Sequence, residues 1–139
     1  QKLCGYTPDA KATVDFLKSQ GVRVTLATSP IFPLVGIEAR LDWAGFKPSD
    51  FEHITTYENC HFTKPNPKYY EEIAFVLGLD PKECVMVGND VDDDMVAAKT
   101  GMTVFLLTDN LINKSGENIE NYPHGSYAEL QEFLKGIIS

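Results

Sequence analysis

A valine-rich run, Val85-Met86-Val87, breaks at Gly88 and empties into Asn89, Asp90, Asp92, Asp93 and Asp94 within six residues. A short apolar run that is rich in valine and ends at a turn residue reads as a buried strand. Carboxylates at the carboxyl end of such a strand stand where open α/β sheets place their ligands. Folding gains nothing from so much like charge in one turn, and a divalent cation would offset the repulsion. Oxygen-only donors point to Mg²⁺ rather than zinc. The competing reading is a solvated acidic helix start, since carboxylates favour the positive end of a helix.

The rest of the chain must supply a sheet for that strand. Thr7-Pro8-Asp9 opens a helix with a hydroxyl cap, a proline at the first helical position and an acid, and Gly21 closes it. Residues 22–27 are β-branched and apolar, which predicts a strand ending at Thr28-Ser29-Pro30. A helix is expected over Leu34 to Trp43 and a short strand over Phe51 to Thr56. Asn66-Pro67 starts a helix that runs to Gly78, with Tyr70, Ile73, Ala74 and Leu77 as its buried stripe. Asp94 to Lys99 reads as helical, Thr103 to Leu107 as a last strand, and Tyr127 to Ile138 as a closing helix. Residues 110–125, rich in Asn and Gly, read as an irregular connection. Trp43, Tyr69 and Phe75 read as packing residues on helices. Alternating strands and helices predict a three-layer α/β/α, Rossmann-like parallel sheet covered on both faces.

With 139 residues the chain fits one domain, 1–139, with a real core. A net charge of −8 and the lack of any Lys/Arg run argue against a nucleic-acid surface. The longest apolar stretches fall far short of a membrane span, and nothing resembles a signal peptide. Cys4, Cys60 and Cys84 are odd in number with no CxxC, which suits reduced thiols in a cytoplasmic protein. The chain starts at Gln1 without Met, so a piece of something longer is expected.

Three strand exits carry unusual polar residues. At Thr28-Ser29, a hydroxyl and free backbone N–H groups can take a phosphate oxygen, or simply form an ST-turn that caps the next helix. In Thr63-Lys64-Pro65-Asn66-Pro67, two prolines follow the lysine, bracketing Asn66, and stiffen the backbone just before a helix. A fixed lysine there offers a point charge to an anion, whereas an ordinary turn lysine would be a solvated one. The third exit is the acidic turn. Cys60 and His61 are sequence neighbours whose side chains point apart, so they suggest no nucleophile and base. His53 and His124 read as structural or solvated.

Taken together, the three exits resemble the motifs of the haloacid dehalogenase-like hydrolases, a family of mostly Mg²⁺-dependent phosphatases. Leu26-Ala27-Thr28-Ser29 resembles its second motif, which implies that Thr28, with Ser29, binds the transferring phosphoryl group. Lys64-Pro65 resembles the third, which implies that Lys64 stabilises that group and the nucleophile's charge. Gly88-Asn89-Asp90 through Asp94 resembles the fourth, whose acids hold Mg²⁺. Asp94 fits the second acid of that motif. The first is Asp90 or Asn89; Asp90 is preferred as the charged ligand, with Asn89 binding through its carbonyl or through water. Asp93 is the third choice, and Asp92 is expected to face solvent.

The family's first motif is an Asp-x-Asp on the first strand, whose first Asp is the nucleophile and whose second is the general acid and base. No apolar strand with that ending precedes Thr7. The resemblance therefore implies a small phosphorylated substrate and hydrolysis through an aspartyl-phosphate. The nucleophile would come from an N-terminal segment of the same parent protein, which would also complete the fold. The alternative is a relative without a nucleophile that binds phosphate and Mg²⁺ without turnover. A receiver-like domain phosphorylated on one acid of the turn is a third reading, and it needs an acidic pair on an earlier strand that this chain does not show.

Overall fold

The computed structural model describes residues 8–26, 47, 49, 51, 53–54, 59–109 and 111–138. They belong to two compact units, Gln1–Cys60 and His61–Ser139. In the first unit, α1 covers Pro8–Ser19, and β1 (Thr25–Leu26) pairs in parallel with β2 (His53–Ile54). The expected helix over Leu34 to Trp43 lies outside the described residues, as do Thr28, Ser29 and Cys4.

The second unit is built on a parallel sheet of three strands in the order β3-β4-β5. β3 is Val85–Gly88, β4 is Thr103–Leu107 and β5 is His124–Gly125. Val85 stands opposite Thr103, and Leu106 stands opposite both Gly88 and His124, so β4 is central. Its residues Val104, Phe105, Leu106 and Leu107 are all buried. A central parallel strand covered on both faces has no solvent side, which is why the run is continuously apolar.

Helix α2, Pro67–Leu77, begins where the sequence places it. The Asn66 side chain accepts a hydrogen bond from the Lys68 N–H, and Pro67 occupies the first helical position. Gly78 ends the helix at φ 73°, a left-handed conformation that glycine adopts without a Cβ penalty. Its buried stripe is Tyr69, Tyr70, Ile73 and Ala74, with Leu77 only half-buried. Phe75, expected to pack, is 84% exposed because it lies on the opposite side of that stripe. Tyr69 does pack, edge-on to Tyr70 with ring centroids 4.8 Å apart.

A single α-helical turn, α3 (Val91–Asp94), passes directly into 3₁₀ turns over Met95–Thr100, so the predicted helix is present but starts earlier and winds tighter. These turns pack against α2 and β4. The closing helix α4 is Tyr127–Ile138, as predicted. It places Leu130 and Leu134 in the core and packs Phe133 on Phe105 at 5.0 Å. The connection over 110–125 is not wholly irregular. It contains a 3₁₀ turn, Ile119–Asn121, and all of β5. No described helix is long and apolar enough to cross a membrane.

Candidate active site at the carboxyl end of β3

The acidic turn lies wholly in the second unit and is held by its own backbone. Asp90 is the cap of α3; its Oδ1 accepts from the N–H groups of Asp92 and Asp93, each at 3.0 Å. This satisfies two of the donors that a helix start leaves without partners. Asp94, at the last residue of that turn, is 5% exposed. Its carboxylate folds back beneath the strand end, where Oδ2 accepts from the N–H groups of Asn89 and Asp90, each at 3.1 Å. Such a fold-back needs the space that glycine leaves. A Cβ at Gly88 would fall inside the Asp94 carboxylate.

The second oxygen of Asp94 faces the lysine loop. Lys64 Nζ donates to Asp94 Oδ1 at 2.7 Å, and the two side chains are only 10% and 7% exposed. A pair this buried persists only when its charges are matched and its remaining valences are met, and here two amides and the ammonium share one carboxylate. The lysine loop is itself anchored to α2. The Glu72 carboxylate accepts from the His61 N–H at 2.9 Å and pairs with the His61 ring. The Asn66 N–H donates to the Thr63 carbonyl at 3.0 Å, and the Lys64-Pro65 peptide is cis.

Two further groups grip the turn from outside. Ile112 forms an isolated bridge opposite Asp90: the Val91 N–H donates to the Ile112 carbonyl at 2.9 Å, and the Ile112 N–H to the Asn89 carbonyl at 2.8 Å. The Tyr70 hydroxyl donates to the Asp93 carbonyl at 2.6 Å. Burial, then the negative charges of Asp90 and Asp94, raise the Asp93 carboxyl above its ordinary value, with Lys64 and Lys114 opposing. The turn is thus a concentration of negative charge that its neighbours only partly offset.

The structure brings Lys64, Asn89, Asp90 and Asp94 together, with Lys64 and Asp94 in direct contact. Asp92, expected at the solvent, is half-buried. His61 pairs with Glu72 and Cys60 Sγ donates to Asn59 Oδ1, so the two neighbours do have separate partners. His124 is structural: its Nδ1 meets the Tyr122 carbonyl at 2.9 Å in the segment that forms β5. Sequence reasoning missed Tyr70 and Ile112 as supports. Tyr70 gave the signal of a core residue, and nothing in an apolar stripe reveals where a hydroxyl ends.

Among the described residues, no three His, Cys, Asp or Glu side chains converge as a ready-made metal site. The donors do fit part of a Mg²⁺ shell. They are oxygens only, and no hydrogen-bond donor among the described residues reaches Asp90 Oδ2. Mg²⁺ takes one or two protein carboxylates and keeps several waters, so a partial shell is its usual arrangement.

Comparison with known proteins places the chain in a family. The family model for haloacid dehalogenase-like hydrolases matches residues 6–101. The chain belongs to that family. It is 28% identical over 114 residues to the glyceraldehyde 3-phosphate phosphatase of Methanothermobacter thermautotrophicus, covering 81% of this chain and 49% of that protein. It is 33% identical over 92 residues to hexitol phosphatase B of Escherichia coli K12, covering 66% of this chain and 40% of that one. The crystal structure of a HAD phosphatase from Thermococcus onnurineus superposes with a TM-score of 0.74 at 25% identity, over 94% of this chain and 58% of the other. The chain thus spans about half the length of the curated relatives it matches.

Proposed function

We infer that this chain carries the lysine and acidic-turn part of a Mg²⁺-dependent phosphomonoester hydrolase that works through an aspartyl-phosphate. The observation that carries the reading is the buried Lys64–Asp94 pair, cradled by the Asn89 and Asp90 amides at the carboxyl end of β3. Phosphoryl transfer asks a protein mainly for positioning and for stabilisation of spread negative charge. Lys64 supplies a fixed positive charge whose place is set by Asp94 below and by the anchored loop behind it. Asp90, through its uncommitted Oδ2, together with Asn89 and Asp94, would hold Mg²⁺. Bound there, the ion supplies Lewis-acid stabilisation of a phosphoryl oxygen.

Thr28 and Ser29 take the remaining phosphoryl oxygens in this reading, which rests for them on the family motif alone. The nucleophilic carboxylate is supplied from outside the 139-residue sequence, which contains no Asp-x-Asp on a strand before Thr28. A small phosphorylated substrate and a cytoplasmic location belong to the same proposal. The phosphatases among its relatives support the reaction class.

The test is release of inorganic phosphate from a generic aryl phosphate by the intact protein. We expect turnover that needs Mg²⁺ and that falls about a hundredfold or more in Lys64→Ala, the scale of losing a positioned charge-stabilising donor. Near-normal turnover in that variant would remove Lys64 from its role. Saturable binding of phosphate and Mg²⁺ without turnover would replace the enzyme by a binding module.

A further inference from the structure

The peptide unit that leads into Asp94 is held at both ends. Its N–H, from Asp94, donates to the Asp90 carbonyl at 2.9 Å. Its oxygen, from Asp93, accepts the Tyr70 hydroxyl at 2.6 Å. Asp94 stands where the α-turn gives way to 3₁₀ turns, at φ −101° and ψ −40°. At such a junction the local helix does not by itself dictate where the side chain aims. An outside tether on the preceding carbonyl does.

We propose that Tyr70 is a positioning residue of the site: by holding the Asp93 carbonyl it aims the Asp94 carboxylate at Lys64 and at the Asn89 and Asp90 amides. Tyr70 is only 1% exposed and comes from α2, the helix that also begins directly behind the lysine loop. One helix therefore sets both halves of the Lys64–Asp94 pair: its start and Glu72 anchor the loop, and Tyr70 anchors the turn. Burial, and then the charges of Asp94, Tyr69, Asp93 and Asp90, push the phenol far above its ordinary range. The hydroxyl thus stays protonated and remains a donor at any working pH. The catalytic consequence rests on the functional reading above; the positioning role does not.

The experiment compares Tyr70→Phe with Ile73→Val in the intact protein. Both residues are buried on α2, but Tyr70 bonds the Asp93 carbonyl and isoleucine has no polar group that could. Two quantities are read: the amide proton shifts of Asn89 and Asp90 without metal, and the affinity for Mg²⁺ alone by calorimetry. Tyr70→Phe should move both amide shifts and weaken Mg²⁺ binding about tenfold, the low end for losing a group that orients a ligand. Ile73→Val should lower the melting temperature and leave both quantities in place. Wild-type amide shifts in Tyr70→Phe would overturn the proposal, and so would equal changes in the two variants. Should Tyr70→Phe fail to fold, the wild-type protein still decides: a slowly exchanging Tyr70 hydroxyl proton is expected, and a rapidly exchanging one overturns the role. Wild-type protein that binds no Mg²⁺ would sink the hydrolase reading, while the metal-free amide comparison would still judge Tyr70.

Discussion

Glu72 shows how a single carboxylate far from the acidic turn bears on the site. Burial alone would raise its carboxyl, but the hydrogen bonds from the His61 ring and backbone, with the ring's charge, outweigh it and hold the carboxyl below its ordinary 4.5. A carboxyl depressed in the folded state adds stability that is complete above the unfolded value and is lost as pH falls through the lower folded one. Because the His61 side chain is 83% exposed, solvent screens the pair and the contribution is small. Thermal midpoints of wild type and Glu72→Gln should therefore differ at pH 7 and draw together as the pH falls below the ordinary carboxylate range. A gap that persists at the acid end would count against the pair. At this scale the residue types were legible: Lys64 stood out by the two prolines that follow it, and the acids by their number. The division of labour among the acids was not. Asp90 caps a helix and Asp94 turns inward because of where the Asn89 and Asp90 amides point, and that is backbone geometry.

At the scale of elements, helix α2 was readable end to end because its signals are local: Asn66 as cap, Pro67 at the first position, Gly78 as stop. Asn66→Ala removes the cap and should cost about 1 kcal/mol, measured as a shift in the denaturation midpoint. Because the cap lies two residues from Lys64, turnover should fall with it, and unchanged turnover would show that the lysine loop does not depend on the helix start. Its buried face was only partly readable. Tyr69 takes a place in the stripe while Leu77 is half-buried and Phe75 is exposed, since the angle at which the helix meets the turns it packs on selects the covered arc. β5 escaped notice for a different reason. Two residues, His124 and Gly125, carry no periodicity, and only an existing edge on β4 makes them a strand.

In the molecule as a whole, the central strand β4 supports the acidic turn through its pairing with β3. Leu106 is fully buried at the register position opposite Gly88, the residue that makes room for Asp94. Leu106→Ala should cost about 2–5 kcal/mol in denaturant unfolding, through lost burial and a residual cavity. A loss below that range would mean the core closes around the gap. By itself the sequence determined the α/β class, the parallel strand ending at Gly88, the lysine followed by two prolines and the kinship with the haloacid dehalogenase-like hydrolases, because each is written in contiguous residues. Only the tertiary structure decided that Lys64 meets Asp94 across thirty positions of chain, that Tyr70 and Ile112 grip the turn, and which carboxylate goes inward. Those outcomes depend on how α2 and the β4–β5 connection pack beside β3, and no local pattern of residues carries that information.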